Sequence, residues 1–344
     1  MLALMTKGYG DLDLNPVVRD IALPQIGDRD VLIKVRATGI NAIETNVLRG
    51  DLRSVDKQAF PEDRGADISG EIVRMGASVT GFSVGDQVFG RMIEGEETTV
   101  AEYVRVPQHQ ITLKPVALTH EQAASLPWAG LSAHQALFEV AELRDGEKLL
   151  VHGGDEILGE MAIQLAKAKG AYVITTIQGC NQRWVERLGA DQVIDRHKQN
   201  FHELVQDVDV VFNPYGDEVS LQSFSIMKPG GRLVALHGAV DAETARRQGL
   251  NPVWRFVAGL RAGKVIQTAE THEVMYRRVV MRPDGHQLSM LATMVDLGLV
   301  KPVIDKVFPF SEASEAIRRT RSCPATGKVV VSMMAEQEEA LAVH

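Results

Sequence analysis

The sequence predicts an α/β protein of two domains, one β-rich and one built on a doubly wound parallel sheet. Three observations carry that prediction. Short alternating strands separated by glycines fill the first third of the chain. From about residue 125 to residue 282, strands and helices alternate in the rhythm that gives a parallel sheet covered on both faces. One strand in that rhythm runs from Lys148 into Gly153-Gly154 and then into a helix, the arrangement that binds a dinucleotide.

The 344 residues suit two domains rather than one. A hydrophobic share of 45% with 24% charged residues is the balance of a globular, soluble chain. The net charge of -8 and the lack of any Lys/Arg cluster argue against a nucleic-acid partner. Two cysteines, Cys180 and Cys323, exclude a disulfide framework and a four-cysteine zinc site. The N-terminal MLALMTKGYGDLDL reaches charge at Lys7 and Asp11 before any long apolar run. It reads as neither signal peptide nor membrane span, so the expectation is a cytoplasmic protein without a membrane partner.

In chain order, Asp30 to Ile40 alternates, with Val31, Ile33 and Val35 on one face and Leu32, Lys34 and Arg36 on the other, as in a half-buried strand. ADISGEIVRMG, VGDQVFG and VAEYVRVP follow as further strands of a small barrel, with RMIEGEETT as an exposed loop among them. THEQAASLPWAGLSAHQALFEVA has helical spacing, with Thr119 as N-cap and Gln122 three residues on. KLLVHGG, AYVITT, QVID, DVDVVF and GRLVALHG then read as strands, the last preceded by a KPGG turn. LGEMAIQLAKAKG, NQRWVERLG, FHELVQ and EVSLQSFSIM read as the helices between them. HQLSMLATMVDLG is an amphipathic helix, PVIDKVFPF a strand, SEASEAIRRT a helix opened by Ser311, and GKVVVSM a strand. These last pieces have no βαβ partner of their own and are expected to return to the first domain. The expected domains are therefore 1–124 completed by 283–334, and 125–282, with 335–344 as a tail.

The stretch from Val151 to Ala171 is a Rossmann-type strand, turn and helix, in which backbone N–H groups and a helix N-terminus meet a diphosphate. Of the G-x-G-x-x-G pattern, Gly154 and Gly159 fill the first and third places and Glu156 stands in the middle one. A carboxylate about 4 Å from a phosphate charge, at an effective dielectric of about 20, costs roughly 4 kcal/mol, on the order of a thousandfold in affinity. Two directions are open for Asp155 and Glu156: both point to solvent, or Glu156 faces the cofactor. The second strand ends in Ile174-Thr175-Thr176 without the acid that holds an NAD ribose, which favours NADP.

At these residues the chain resembles the medium-chain dehydrogenase/reductase superfamily, in its zinc-free, zeta-crystallin-like quinone oxidoreductase branch. The resemblance rests on LPQIGDRDVLIKVRATGINAIETNVLRG, VGDQVFG, AASLPWAGLSAHQAL, VHGG…LG…AIQLAKAKGA, RLGADQVID, KPGGRLV and ATGKVVV. It implies a GroES-like β-rich catalytic domain beside a Rossmann domain. It also implies hydride transfer from NADPH to an activated C=C bond or a quinone. No cysteine lies in Gly39 to Thr45, where the zinc enzymes place one, so no zinc is expected. Asn41 matches a polar position lining the substrate cleft, and Asn46 stands where relatives often carry tyrosine. Arg64 is a candidate for an anionic substrate group or a surface ion pair. Trp128 is a candidate cleft wall or packing residue. The cofactor set implied is Gly153, Gly154, Glu156, Gly159, Thr176, Gln178, Cys180, Tyr215, Gly238 and Lys328. In it, Gln178 and Cys180 replace a serine and an arginine that hold a 2′-phosphate, and Asn213-Pro214-Tyr215-Gly216-Asp217 replaces D-T-V-G-G.

Ten histidines show no metal-ligand spacing, and His134, His152 and His237 read as hydrogen-bonded structural groups. Cys180 is either a reactive thiol or a passive small residue. The strand around Tyr276-Arg277-Arg278 is expected to pair across a homodimer axis. Two functions stay open: an NADPH-dependent quinone or enone reductase acting on a small molecule, or a cofactor-impaired member kept for small-molecule binding or another non-redox role. A purely structural protein has little support.

Overall fold

The computed structural model describes residues 1–5, 17–41, 66–92, 100–179, 181–322 and 326–333. The chain divides into two compact units, Met1–Leu131 with Arg282–His344, and Ser132–Met281. The loop read at RMIEGEETT falls largely, and the tail 335–344 wholly, outside the described residues.

The first unit opens with β1 (Leu2–Met5) and β2 (Val17–Asp20), an antiparallel pair. β3 (Asp30–Ile40), β4 (Ala66–Met75), β5 (Gln87–Met92), β6 (Tyr103–Pro107) and β7 (Ile111–Leu113) follow. The alternation in β3 shows in burial: Val31, Ile33 and Val35 are buried while Lys34 and Arg36 are half-exposed. Leu32 is also buried, as is the end of the strand, because β3 is central and touches β4, β6 and a later strand. Its inward residues pack with Ile72, Val88 and Val106.

α1 (His120–Ala124) starts at Thr119 with the expected capping box: Gln122 N–H donates to Thr119 Oγ1 and Thr119 N–H to Gln122 Oε1. The single helix expected from the apolar spacing is corrected by Pro127. The helix stops before that proline and α2 (Pro127–His134) restarts on it, as proline disfavours helix in the residue before it and suits the first helical position. The unit boundary falls within α2.

The second unit runs β8 (Lys148–His152), α3 (Ile157–Ala168), β9 (Tyr172–Ile177), α4 (Gln182–Arg187), β10 (Gln192–Asp195), α5 (Phe201–Leu204), β11 (Val208–Asn213), α6 (Asp217–Ser223) and β12 (Met227–Ala235). α7 (Ala242–Arg247), α8 (Pro252–Thr271) and β13 (Met275–Arg278) complete it. All six strands are parallel, in the order β10-β9-β8-β11-β12-β13. Leu149, Leu150 and Val151 are fully buried, the continuous apolar run a two-sided parallel strand requires. The expected KPGG turn lies within the span of β12 as a bulge: the ladder steps from Met227 to Arg232 on β12 while β11 steps only from Val208 to Val210, and Gly230 sits at φ +78.

The chain then returns to the first unit through α9 (Gly285–Asp296), β14 (Ile304–Pro309), α10 (Ala313–Ser322) and β15 (Lys328–Ser332). The seven-stranded sheet is ordered β14-β15-β3-β4-β5-β7, with β6 on β3. The expectation that these pieces lack a βαβ partner is corrected. β14 and β15 pair in parallel across α10 and form such a unit, joined antiparallel to β3. Ser311 does not open α10; it sits in a 3-10 turn, Phe310–Glu312, that precedes the helix.

Candidate functional site

The C-terminal ends of parallel strands are where α/β sheets bind ligands, and here β8 ends in the turn Gly153 to Glu156. α3 is packed hard onto that turn: a Cβ on Gly159 would lie 2.1 Å from the Gly153 carbonyl oxygen, so only glycine lets the helix start there. Three turn amides are used internally. Gly153 N–H donates to Thr176 Oγ1, Gly154 N–H to the Thr176 carbonyl at 2.9 Å, and Glu156 N–H to the Gly153 carbonyl at 3.0 Å. Thr176 thereby ties β9 to the turn, and His152 completes the tie through Nδ1 to Thr176 Oγ1 at 3.2 Å and Nε2 to Ser223 Oγ at 2.9 Å. Burial pushes the His152 imidazole down to about 3, so it is a neutral structural group. Gly238 follows β12, in a turn that Asp217 holds by accepting the Ala239 N–H at 2.7 Å.

The two acidic residues of the turn do not point to solvent. Asp155 is buried and accepts the Gln178 backbone N–H at 3.2 Å, which fastens the turn to the end of β9. Glu156 caps α3 with extended backbone but no side-chain cap bond; its Oε1 instead accepts the Tyr215 hydroxyl at 2.5 Å. Tyr215 comes from the loop between β11 and α6, and its hydroxyl lies 2.4 Å from where a Cβ on Gly153 would sit. Gly153, at φ +69, therefore makes room for the tyrosine as well as for the turn. Arg196, beyond β10, stacks over the Tyr215 ring at 4.9 Å. Burial raises the Glu156 carboxyl above the ordinary carboxylate range, the Tyr215 hydroxyl partly offsets this, and Asp155 adds to it. Tyr215 is driven above its usual range by burial and by Glu156.

Glu160, in the first turn of α3, is 2% exposed. Its Oε1 accepts the Trp184 indole N–H at 2.7 Å, and no hydrogen-bond partner for Oε2 lies among the described residues. Burial pushes this acid up to about 7. An open groove at the ends of β9 and β10 carries charge of both signs in its lining, Arg183 and Lys198 with Glu186 and Asp195, and Lys198 bonds Asp195 at 2.8 Å.

The first unit carries a separate cluster. Asp67, Arg91 and Lys328 are all fully buried. Asp67 Oδ1 lies 3.3 Å from Arg91 Nη1, and its Oδ2 lies 2.5 Å from Lys328 Nζ and accepts the Asn41 Nδ2 amide at 3.2 Å. Lys328 Nζ also donates to Asn41 Oδ1 and sits 5.6 Å from the Trp128 ring centroid.

Of the residues singled out in the sequence, Gly153, Gly154, Glu156, Gly159, Thr176, Gln178 and Tyr215 come together around the turn. Asn41, Trp128 and Lys328 come together in the first unit. Asn46, Arg64 and Cys180 lie outside the described residues. Arg196, Glu160, Asp67 and Arg91 were not singled out. Arg91 had a signal, a lone cation inside the apolar strand VFGRM. Asp67 had one in pairing with it across adjacent strands.

A metal has no evident holder: no group of three or more His, Cys, Asp or Glu side chains among the described residues is arranged to bind one. A dinucleotide fits the strand, turn and helix closely, with Glu156 and Tyr215 the exceptions.

Two family models match the chain, alcohol dehydrogenase GroES-like domain over residues 27–116 and zinc-binding dehydrogenase over residues 188–331. It is 31% identical to the NAD(P)H oxidoreductase RTN4IP1, mitochondrial, of Danio rerio, covering 98% of this chain and 93% of that one. It is 31% identical to the NADPH-dependent alkenal/one oxidoreductase, chloroplastic, of Arabidopsis thaliana, over 96% and 79% of the two chains. The structure is similar to that of the quinone oxidoreductase from Coxiella burnetii, with a TM-score of 0.78 and 29% identity over 97% of this chain and 99% of that one. None of these supports a cofactor-impaired, non-redox role.

Proposed function

The chain belongs to the medium-chain dehydrogenase/reductase superfamily, in its zinc-free quinone oxidoreductase branch, and from that premise we propose that it reduces quinones or the activated C=C bond of enones with NADPH. The observation that carries this reading is the β8–turn–α3 unit at the centre of a six-stranded parallel sheet. When bound there, a nicotinamide coenzyme supplies the hydride. The protein's part is positioning: Thr176 and Asp155 fix the turn, and the first turn of α3 offers its amides to a diphosphate.

NADPH is favoured over NADH by two features. β9 ends in Ile174-Thr175-Thr176-Ile177 without an acid of its own, and the groove at the ends of β9 and β10 carries the cations Arg183 and Lys198, the latter paired with Asp195 at 2.8 Å. These offer a 2′-phosphate the charge that Gln178 lacks. In the first unit, the Asp67–Lys328 pair holds the Asn41 amide in one orientation, which makes Asn41 the positioned polar group of that unit.

Steady-state kcat/KM with NADPH and with NADH, against a panel of quinones and alkenones, tests the proposal. A clear preference for NADPH is expected. Equal or better use of NADH would refute the coenzyme choice, and neither binding nor turnover with either would refute the oxidoreductase reading. We further propose a homodimer through β13, the outer strand of the six-stranded sheet, whose far edge pairs with no other described strand. Sedimentation showing a monomer at tens of micromolar would remove that proposal. A cytoplasmic setting is proposed on the low cysteine count, against relatives named mitochondrial and chloroplastic. No helix of the described residues is long and apolar enough to cross a membrane.

A further inference from the structure

We propose that Glu156 and Tyr215 form a latch over the diphosphate turn, and that a dinucleotide is admitted when Glu156 takes up a proton and the latch opens. The inference rests on the coenzyme reading above and concerns the same turn.

The geometry is specific. Glu156 occupies the place where a phosphate-binding turn carries its middle glycine, at the N-terminus of α3, which attracts a ligand anion. Its carboxylate is not idle there: it accepts the Tyr215 hydroxyl at 2.5 Å. That bond draws the tyrosine ring across the turn, with its hydroxyl directly over Gly153. The Arg196 guanidinium lies over the ring, 4.9 Å from its centroid. Carboxylate, phenol and guanidinium are thus linked in series, Glu156 at the hydroxyl and Arg196 over the ring, at the backbone that a diphosphate must reach.

The charged and titratable groups around Glu156 come from each neighbouring element. Tyr215 faces it from the β11–α6 loop, Arg196 from beyond β10, and Asp155 from the turn itself. Asp155 is engaged with the Gln178 N–H, Glu160 on the same helix with Trp184, and His152 at the end of β8 is neutral. Asp155 disfavours a second negative charge at Glu156, and burial acts in the same direction. A diphosphate arriving at this turn brings two more negative charges. It therefore favours the neutral acid strongly, and a neutral Glu156 leaves Arg196 free of the carboxylate's pull and able to face a phosphate.

The test is the dissociation constant of NADPH, read by nicotinamide fluorescence between pH 5.5 and 8.5 on the full chain. Calorimetry in two buffers of different ionisation enthalpy then counts the protons taken up. For the natural protein, Kd is expected to rise toward tenfold per pH unit across the alkaline part of the range, with about one proton taken up per dinucleotide. Repeating the series with NADH removes the 2′-phosphate, whose own titration near about pH 6 would otherwise contribute. Glu156→Gln is expected to flatten the pH dependence and to tighten binding at pH 8.5, by up to about a thousandfold for a unit charge about 4 Å from a phosphate. Tyr215→Phe keeps the ring and removes the donor that favours the carboxylate, so its curve should shift to higher pH. A Kd for NADH that does not change with pH in the natural protein, or a Gln variant that binds no tighter, would overturn the latch while leaving the coenzyme reading intact. Absence of binding by both the natural protein and the Gln variant, to NADPH and NADH alike, would remove the coenzyme reading and the latch with it.

Discussion

Replacing Glu160 by glutamine should change the pH dependence of stability more than the stability near pH 5. An acid held at about 7 in the fold and near 4.5 in the unfolded chain binds more protons when folded throughout that interval. The sign follows: stability falls as pH rises from about 4.5 to about 7, and above 7 the buried charge costs the full amount, about 3 kcal/mol. Glutamine has no such titration and keeps the oxygen that accepts the Trp184 indole N–H at 2.7 Å. It also sets an NH2 group where Oε2 lies, and no hydrogen-bond partner of that atom is found among the described residues. The protonated acid already sets an O–H at that atom, so most of the about 1–3 kcal/mol that a buried unpaired donor costs is common to both proteins near pH 5. The variant is therefore expected to be about as stable as the natural protein near pH 5 and more stable than it at pH 8. The change in ΔΔG between those two pH values should be about 2–3 kcal/mol, read from urea unfolding followed by far-UV circular dichroism. Trp184 fluorescence should report the same titration in the natural protein and lose it in the variant. Parallel stability curves for the two proteins from pH 5 to pH 8 would refute the reasoning.

Asp67→Asn should cost about 3–5 kcal/mol, because it leaves Arg91 and Lys328 buried without the carboxylate between them; the loss is read as a lowered thermal midpoint. Gly159→Ala should cost about 1–3 kcal/mol, since its methyl would lie 2.1 Å from the Gly153 carbonyl oxygen and must push α3 off the turn, and coenzyme affinity should fall with it. The His152 imidazole resonances should stay constant from pH 5 to pH 8, as expected of a buried ring held at about 3; a midpoint inside that range would contradict its neutral role.

Much of the fold was legible because its signals are local. The apolar run of β8, the alternation of β3 and the capping box at Thr119 each fix an element from a few neighbouring residues. Pro127 shows where local reading failed: the apolar spacing continues across it, and only the steric demand of the proline on its predecessor breaks the helix. The pairing of β14 with β15 was missed because the parallel unit belongs to a mostly antiparallel sheet. At the site, the sequence singled out Glu156 as an unusual charge but held no information on its direction. That direction is set by Tyr215, 59 positions away. Asp155, for which the sequence left a solvent-facing direction open, proves to be a fastening, because its partner is a backbone amide that no residue type announces. The buried Asp67 cluster joins strands distant in the chain, and periodicity carries no trace of such an encounter.

The junction of β15 with β3 also orders events as the protein is made. Lys328 reaches Asn41 across 287 positions of sequence, and the whole of the second unit, Ser132–Met281, is threaded between them. During synthesis that inserted unit has all its strands before β14 and β15 leave the ribosome, and it can close on its own. The first unit cannot. Until its last strand arrives, β3 presents an open edge and the pocket around Asp67 lacks one of its two cations. β3, made before the inserted unit, is thus among the last elements to be finished, and the interval in between is when this protein is most exposed to a chaperone or to self-association.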